Sequence, residues 1–108
     1  MSFEQSLDRV LARFEELQSL MATEPLPPAD EFMRLSKEYA ALTSVVEAIN
    51  QLREAKSELQ SLETVLEDQD EDMRILAGEE YRQLETQLPQ LERKVQIMLL
   101  PKGGVDSK

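Results

Sequence analysis

Alternating aspartates near the middle of the chain come closest to a known chemical site. Five residues match positions 1, 3, 5, 8 and 12 of a calcium loop between two helices: Asp68, Asp70, Asp72, Ile75 and Glu79. Position 6 of such a loop requires glycine for its sharp turn, and this sequence has Met73 there. We therefore interpret the segment as a solvated acidic turn that also caps the next helix, with weak calcium binding as the alternative.

The composition offers few other candidates for catalysis. The 108 residues include no Cys and no His, so the chain has no thiol nucleophile, no thiolate metal ligand and no imidazole base. The Ser and Lys residues form no recognisable pair of nucleophile and base, and neighbouring carboxylates such as Glu15 with Glu16 fall on exposed faces of predicted helices. We expect no catalytic residue, no metal site and no cofactor.

The charge balance indicates which partners suit the chain. Asp and Glu number 22 against 12 Lys and Arg, which gives a net charge of −10 at pH 7. Such a chain repels nucleic-acid phosphates and anionic lipids. The longest aliphatic run, residues 97–100, is far shorter than the roughly 20 residues that span a bilayer, and residues 1–7 do not resemble a secretory signal. The sequence favours a cytoplasmic protein that binds basic protein surfaces, with no direct DNA or membrane partner.

Hydrophobic periodicity predicts an all-α chain of three helices. The first helix should run from about Phe3, behind a capping box formed by Ser2 and Gln5, to near Ala22. Three prolines make residues 23–29 a linker. Asp30 is the predicted N-cap of a second helix that continues to about residue 67 and measures about 55 Å.

The third helix should run from about Met73 until Pro101 ends it, with a kink near Pro89. The predicted fold is an elongated antiparallel three-helix bundle, or coiled-coil-like hairpin, with a long central helix. Residues 1–102 would form this helical domain, and residues 103–108 a flexible tail or a truncation end. Leu42 should lie where all three helices overlap, so that Leu42→Ala costs about 2–5 kcal/mol.

The end of the hairpin between the second and third helices is the candidate partner surface. The first helix is too short to cover it, so Leu59, Leu62, Leu66, Met73 and Leu76 should be less covered there than in the middle of the bundle. Acidic residues surround these apolar side chains, and six of them are the candidate contact residues: Glu63, Glu67, Asp68, Asp70, Glu71 and Asp72.

Two stretches resemble the amino-terminal domain of bacterial class I peptide chain release factors. Residues 31–42 read EFMRLSKEYAAL and are similar to the family's second helix. Residues 97–102 read IMLLPK and are similar to the end of its last amino-terminal helix, with an LLPK ending closer to the branch that reads UAA and UAG. Order and spacing extend the resemblance over residues 1–102.

The resemblance implies a non-catalytic part of a protein that terminates translation on the ribosome. In the family, peptidyl-tRNA hydrolysis needs a Gly-Gly-Gln motif, whereas Gly103 and Gly104 are followed here by Val105. The resemblance implies contacts with the ribosome near the base of its stalk and with the partner GTPase release factor. A stand-alone acidic coiled-coil adaptor or oligomerisation module is the alternative, and self-association is compatible with both.

Overall fold

A computed structural model describes residues 2–100 and contains, within them, three α-helices and no strand. Helix α1 spans Phe3–Ala22, α2 spans Ala29–Val65 and α3 spans Glu71–Met98. The predicted all-α class with three helices is confirmed. The boundary predicted at residue 102 and the tail predicted for 103–108 lie outside the described residues. In the described part of the chain, no helix combines the length and apolar character that crossing a membrane requires.

Helix α1 begins at the capping box that the sequence predicts. The Ser2 hydroxyl accepts a hydrogen bond from the Gln5 backbone N–H at 3.1 Å, and the Gln5 side-chain oxygen accepts one from the Ser2 N–H at 3.2 Å. Two of the backbone donors that a helix start leaves unpaired are thereby satisfied. The helix ends at Ala22, as predicted, before the proline-rich linker.

Helix α2 starts slightly earlier than the sequence predicts. Its first turn closes when the Phe32 N–H donates to the Pro28 carbonyl at 2.8 Å, so the helix begins at Ala29. Asp30 is therefore not the N-cap but lies inside the first turn, where a carboxylate still suits the positive end of the helix dipole. The helix has 37 residues, which corresponds to a length of about 55 Å.

Contacts divide the chain into two compact units, Met1–Ile49 and Asn50–Lys108, and α2 contributes to both. In the first unit, α1 packs against the first part of α2. The rings of Phe14 and Tyr39 stack with centroids 4.7 Å apart and planes 11° from parallel. The buried apolar residues of this unit are Leu7, Leu17, Leu35, Val45, Val46, Ala48 and Ile49.

A two-pronged ion pair fixes the register of α1 on α2 in this unit. Arg13 donates to both carboxylate oxygens of Glu38, from Nε at 2.7 Å and from Nη2 at 2.8 Å, and its Nη1 donates to Glu16. These hydrogen bonds hold the pKa of the Glu38 carboxyl below its usual value of 4.5, although partial burial opposes the effect. The paired geometry therefore favours one alignment of the two helices.

We expect the Glu38→Gln substitution to lower the melting temperature more at pH 7 than at pH 3. The depressed pKa of Glu38 contributes stability that is present above about pH 4.5 and is lost as the pH falls through the lower pKa of the folded state. The effect should be modest, since 38% of the Arg13 side chain and 42% of the Glu38 side chain are exposed and water screens the pair.

Thermal unfolding followed by circular dichroism at both pH values measures this difference. Glu15→Gln is the matched control, because Glu15 is an exposed carboxylate of α1. If the melting temperatures of the Glu38→Gln variant and the parent chain differ by the same amount at pH 7 and pH 3, the ion pair does not cause the difference.

In the second unit, the later part of α2 packs against α3. Its buried apolar residues are Leu52, Ala55, Leu62, Ala77 and Val95. Lys56 Nζ of α2 lies 3.9 Å from a carboxylate oxygen of Glu92 of α3, which links the two helices across the edge of this core. Burial along α2 is greatest at Ile49 and Leu52, which are fully buried, whereas Leu42 is only half-buried. The sequence analysis, which expected Leu42 to lie where all three helices overlap, therefore overestimated the burial of this residue.

Candidate protein-contact site between α2 and α3

The six predicted contact residues lie in and beside the turn between α2 and α3, and we call them the acidic tip: Glu63, Glu67, Asp68, Asp70, Glu71 and Asp72. All six are exposed. Glu63 lies in the last turn of α2, and Glu71 and Asp72 are the first residues of α3. The turn thus gathers six carboxylates on one end of the second unit, as the sequence analysis predicted from their order.

Two aspartates of the tip build the turn. The Asp68 carboxylate accepts the Asp70 backbone N–H at 2.8 Å, and the Asp70 carboxylate accepts the Asp72 N–H at 2.9 Å, which makes Asp70 the N-cap of α3. This cap starts α3 at Glu71, two residues before the predicted start at Met73. Two of the six carboxylates are therefore structural as well as charged.

Arg74 braces the same turn, which the sequence analysis did not foresee. Its Nη1 donates to the backbone carbonyls of Asp68 at 2.7 Å and Gln69 at 3.1 Å. A guanidinium one turn into a helix can reach back over the residues that precede the cap, so an arginine four residues after Asp70 was the available signal. Side-chain hydrogen bonds to the backbone of residues 68–72 therefore hold the acidic tip in a defined conformation.

The calcium-loop alternative does not match this conformation. Helix α3 begins at Glu71, which would be position 4 of the loop, whereas a calcium loop supplies ligands from positions spread over 12 residues. Glu79 accordingly lies in about the third turn of α3. Within residues 2–100, no group of three or more acidic side chains is arranged to hold a metal ion.

Apolar side chains accompany the acidic tip at the start of α3. Met73, Ile75 and Leu76 have exposed fractions of 44%, 52% and 58%. Leu59 and Leu66 are half-buried beside them, whereas Leu62 is buried. The prediction that the side chains at this end are less covered is therefore confirmed for Met73 and Leu76, and it is wrong for Leu62. The sequence analysis treated Ile75 only as a calcium-loop position and missed it as an exposed apolar residue.

Tyr81 connects the tip to the packed part of α3. Its hydroxyl donates a hydrogen bond to Glu63 Oε2 at 3.3 Å. Burial of the ring raises the pKa of Tyr81, and the negative charge of Glu63 raises it further. The phenol therefore stays protonated and keeps Glu63 at the rim of the tip.

The acidic tip thus places exposed carboxylates beside exposed apolar side chains at the capped start of α3. A family model described as the PCRF domain matches residues 10–108. This match covers nearly the whole sequence, and the chain belongs to the PCRF domain family.

Two curated relatives extend the comparison over the full chain. The sequence is 44% identical over all 108 residues to a protein of Rhodospirillum rubrum named peptide chain release factor 1. It is 37% identical over all 108 residues to a protein of the same name from Gluconobacter oxydans. The chain spans only 30% of the length of each of these proteins. No solved structure matches the chain.

Proposed function

We propose that the chain is the amino-terminal, non-catalytic part of a translation release factor, acting at stop codons on cytoplasmic ribosomes through protein–protein contacts. The observation that carries this proposal is the PCRF domain match over residues 10–108. The 44% identity along the full chain supports it. The LLPK ending at residues 99–102 and the name peptide chain release factor 1 on both relatives support the branch that reads UAA and UAG.

We assign peptidyl-tRNA hydrolysis to sequence outside this chain. Gly103 and Gly104 precede Val105, so the 108 residues contain no Gly-Gly-Gln. The relatives are more than three times as long as the chain, because 108 residues are 30% of each. This leaves a binding role for the helical part.

The acidic tip is the surface through which we propose that this part acts. Its carboxylates are exposed and its turn is braced by Arg74, so its charge is presented without rearrangement. A fixed acidic surface complements basic proteins, and such complementarity increases association rates. The basic proteins near the base of the ribosomal stalk and the partner GTPase release factor are the proposed partners.

Charge reversal of the tip should slow association with ribosomes at low salt. The informative variant changes Glu67, Glu71 and Asp72 to Lys and leaves Asp68 and Asp70, whose side chains build the turn. We expect the association rate of the parent chain to fall as salt rises, and the variant to be slower at low salt and nearly insensitive to salt. Stopped-flow fluorescence with purified ribosomes measures both rates.

A second triple variant separates local contacts from net charge. Glu15, Glu24 and Glu47 are exposed carboxylates distant in sequence from the tip, and changing them to Lys moves the net charge from −10 to −4 as in the tip variant, since each reversal adds two. Equal slowing in both variants would exclude the tip as the contact. An acidic adaptor unrelated to translation predicts a different result, namely no saturable binding of the parent chain to ribosomes.

A further inference from the structure

The carboxyl-terminal part of α3 has a cleft that the proposed function does not use. Successive helical residues are rotated by about 100°, so residues three, four, seven and eight apart lie on adjoining parts of one face. Five residues with this spacing line an open cleft of about 440 Å³, and we call them the basic cleft: Gln90, Arg93, Lys94, Ile97 and Met98. The buried Ala77 and Val95 lie about 140° around the helix from Gln90, so the cleft is on the outer side of α3.

Three cations lie on this outer side of α3. Arg93 and Lys94 belong to the basic cleft, and Arg82 precedes Arg93 by about 17 Å along the helix, at nearly the same angle. All three are exposed, and none has an ion-pair partner among residues 2–100. The net charge of the chain is −10, so this surface is opposite in sign to the molecule as a whole.

The carboxylates of α3 lie away from the basic cleft. Glu79 and Glu80 are the last carboxylates on this side of the helix, and each lies about 21 Å along its axis before the cations of the cleft. Glu85 and Glu92 lie about 140° and 160° around the helix from the middle of the cleft. Glu92 is also 3.9 Å from Lys56 Nζ on that other side. The positive charge of the cleft is therefore not neutralised from within α3.

The carboxylates of α2 that approach α3 line a separate groove. Glu54 and Glu58 lie there with Gln87 and Leu91, around a volume of about 280 Å³. This groove shares no lining residue with the basic cleft. Neither glutamate forms an ion pair with an arginine or lysine among residues 2–100.

Apolar surface accompanies the cations of the basic cleft. Ile97 is 57% exposed and Met98 is half-buried, and Leu100, just beyond the helix, is 53% exposed. An apolar side chain of a partner placed in the cleft would cover Ile97 and Met98 and leave the two cations at its edge. Carboxylates beside that side chain could then accept charge-assisted hydrogen bonds. The cleft thus combines apolar area to bury with unpaired positive charge.

We propose that the basic cleft binds a short acidic segment of another protein, in which apolar side chains lie beside carboxylates. The unpaired Arg93 and Lys94 require a negative partner, and the apolar surface around Ile97 requires more than a simple anion. A short segment has few charges, so the net charge of −10 opposes it weakly at long range. Within the screening length of about 8 Å, the neighbouring cations dominate. This surface is separate from the acidic tip, and the proposal does not rest on the proposed function.

Nucleic acid and anionic lipid match the basic cleft less well. Proteins that bind single strands stack bases on aromatic side chains, and residues 82–100 contain no aromatic residue. Segments that bind anionic lipid contain clusters of about four to eight cations, more than the three on this side of α3. A long polyanion would also bring many negative charges close to an acidic chain. A short acidic peptide is therefore the ligand to test.

Nuclear magnetic resonance of the isotope-labelled 108-residue chain, titrated with a synthetic peptide, tests the proposal. The probe is a short helical peptide with leucines on one side and glutamates beside them. We expect saturable shifts of backbone amide signals concentrated at residues 90–98, and weaker binding as salt rises. The same peptide with lysine in place of glutamate should produce no shifts. Replacing its leucines by serine should weaken binding by about tenfold.

Two double variants test the role of the cations. Arg93→Gln combined with Lys94→Gln should weaken peptide binding by about tenfold or more. Arg34→Gln combined with Lys37→Gln is the matched control, because these exposed cations lie on α2 and their removal also changes the net charge from −10 to −12. The control should bind the peptide almost as well as the parent chain. Circular dichroism should show unchanged helix content in both, since all four residues are exposed.

Two single variants test the apolar part of the basic cleft. Ile97→Ala should weaken peptide binding by about fivefold, whereas Leu76→Ala, at a similar exposed fraction of 58% but outside the cleft, should not change it. Single-stranded RNA and phosphatidylserine vesicles are titrated in parallel and should not shift residues 90–98. Absence of peptide shifts at the cleft, equal weakening by the two double variants, or binding of RNA or vesicles in place of the peptide would each overturn the proposal.

Discussion

The Leu52→Ala variant should unfold with a free energy lower than that of the parent chain by about 2–5 kcal/mol. Leu52 is fully buried in the second unit, on a helix that cannot shift locally without disturbing its own hydrogen-bond ladder. Truncation removes the buried methyl groups from the core and leaves a cavity that close-packed neighbours fill only in part. Urea denaturation followed by circular dichroism gives the difference.

Leu76→Ala is the matched control for this measurement. It removes the same atoms from a helical leucine that is 58% exposed, so the change should stay within about 0.5 kcal/mol. Leu42→Ala should fall between the two, because Leu42 is half-buried. Equal losses for Leu52→Ala and Leu76→Ala would contradict the burial pattern of the second unit.

Features determined by neighbouring residues could be predicted from the sequence. The bounds of α1 depend on Ser2, Gln5 and the prolines after Ala22, and all of these act within one or two turns of the helix end. The starts of α2 and α3 were predicted less accurately, since both helices begin earlier in the structure than the sequence indicated. Helix α2 begins before Asp30, because the Pro28 carbonyl accepts the first hydrogen bond of the helix. Helix α3 begins before Met73, because the Asp70 side chain caps the helix.

Features determined by distant residues could not be predicted from periodicity. Arg13 and Glu38 are 25 residues apart, and nothing in their local sequence shows that the register of α1 on α2 brings them within 2.7 Å. The buried stripe of α2 includes Val45 and Ala48 beside the predicted seam, because the width of a buried face depends on the neighbours that cover it. The greatest burial therefore falls at Ile49 and Leu52.

The candidate site also has some features that could be predicted from the sequence and others that could not. The order of acidic residues predicted an exposed charged turn, and the structure has one between α2 and α3. The hydrogen bonds from Arg74 to the turn depend on where α3 begins, which the sequence did not predict to the residue. Charge positions are readable in sequence, whereas the face that presents them depends on packing.

Replacing Pro89 by alanine should raise the free energy of unfolding by about 1–3 kcal/mol. Pro89 lies inside α3, where it has no N–H to donate to the Glu85 carbonyl and its ring crowds that carbonyl. The side chain is exposed, so the substitution removes no buried contact. Proline also restricts the unfolded chain, which offsets about 0.4–1 kcal/mol of the gain.

Urea denaturation of Pro89→Ala beside Gln87→Ala tests this expectation. Gln87 is an exposed residue of the same helix, and its replacement should change the free energy of unfolding by no more than about 0.5 kcal/mol. Stabilisation by Pro89→Ala alone would show that the interruption at Pro89 costs stability, and that the native packing of α3 tolerates an uninterrupted hydrogen-bond ladder. Destabilisation would show the reverse, that the packing of α3 on α2 requires the kink predicted near Pro89.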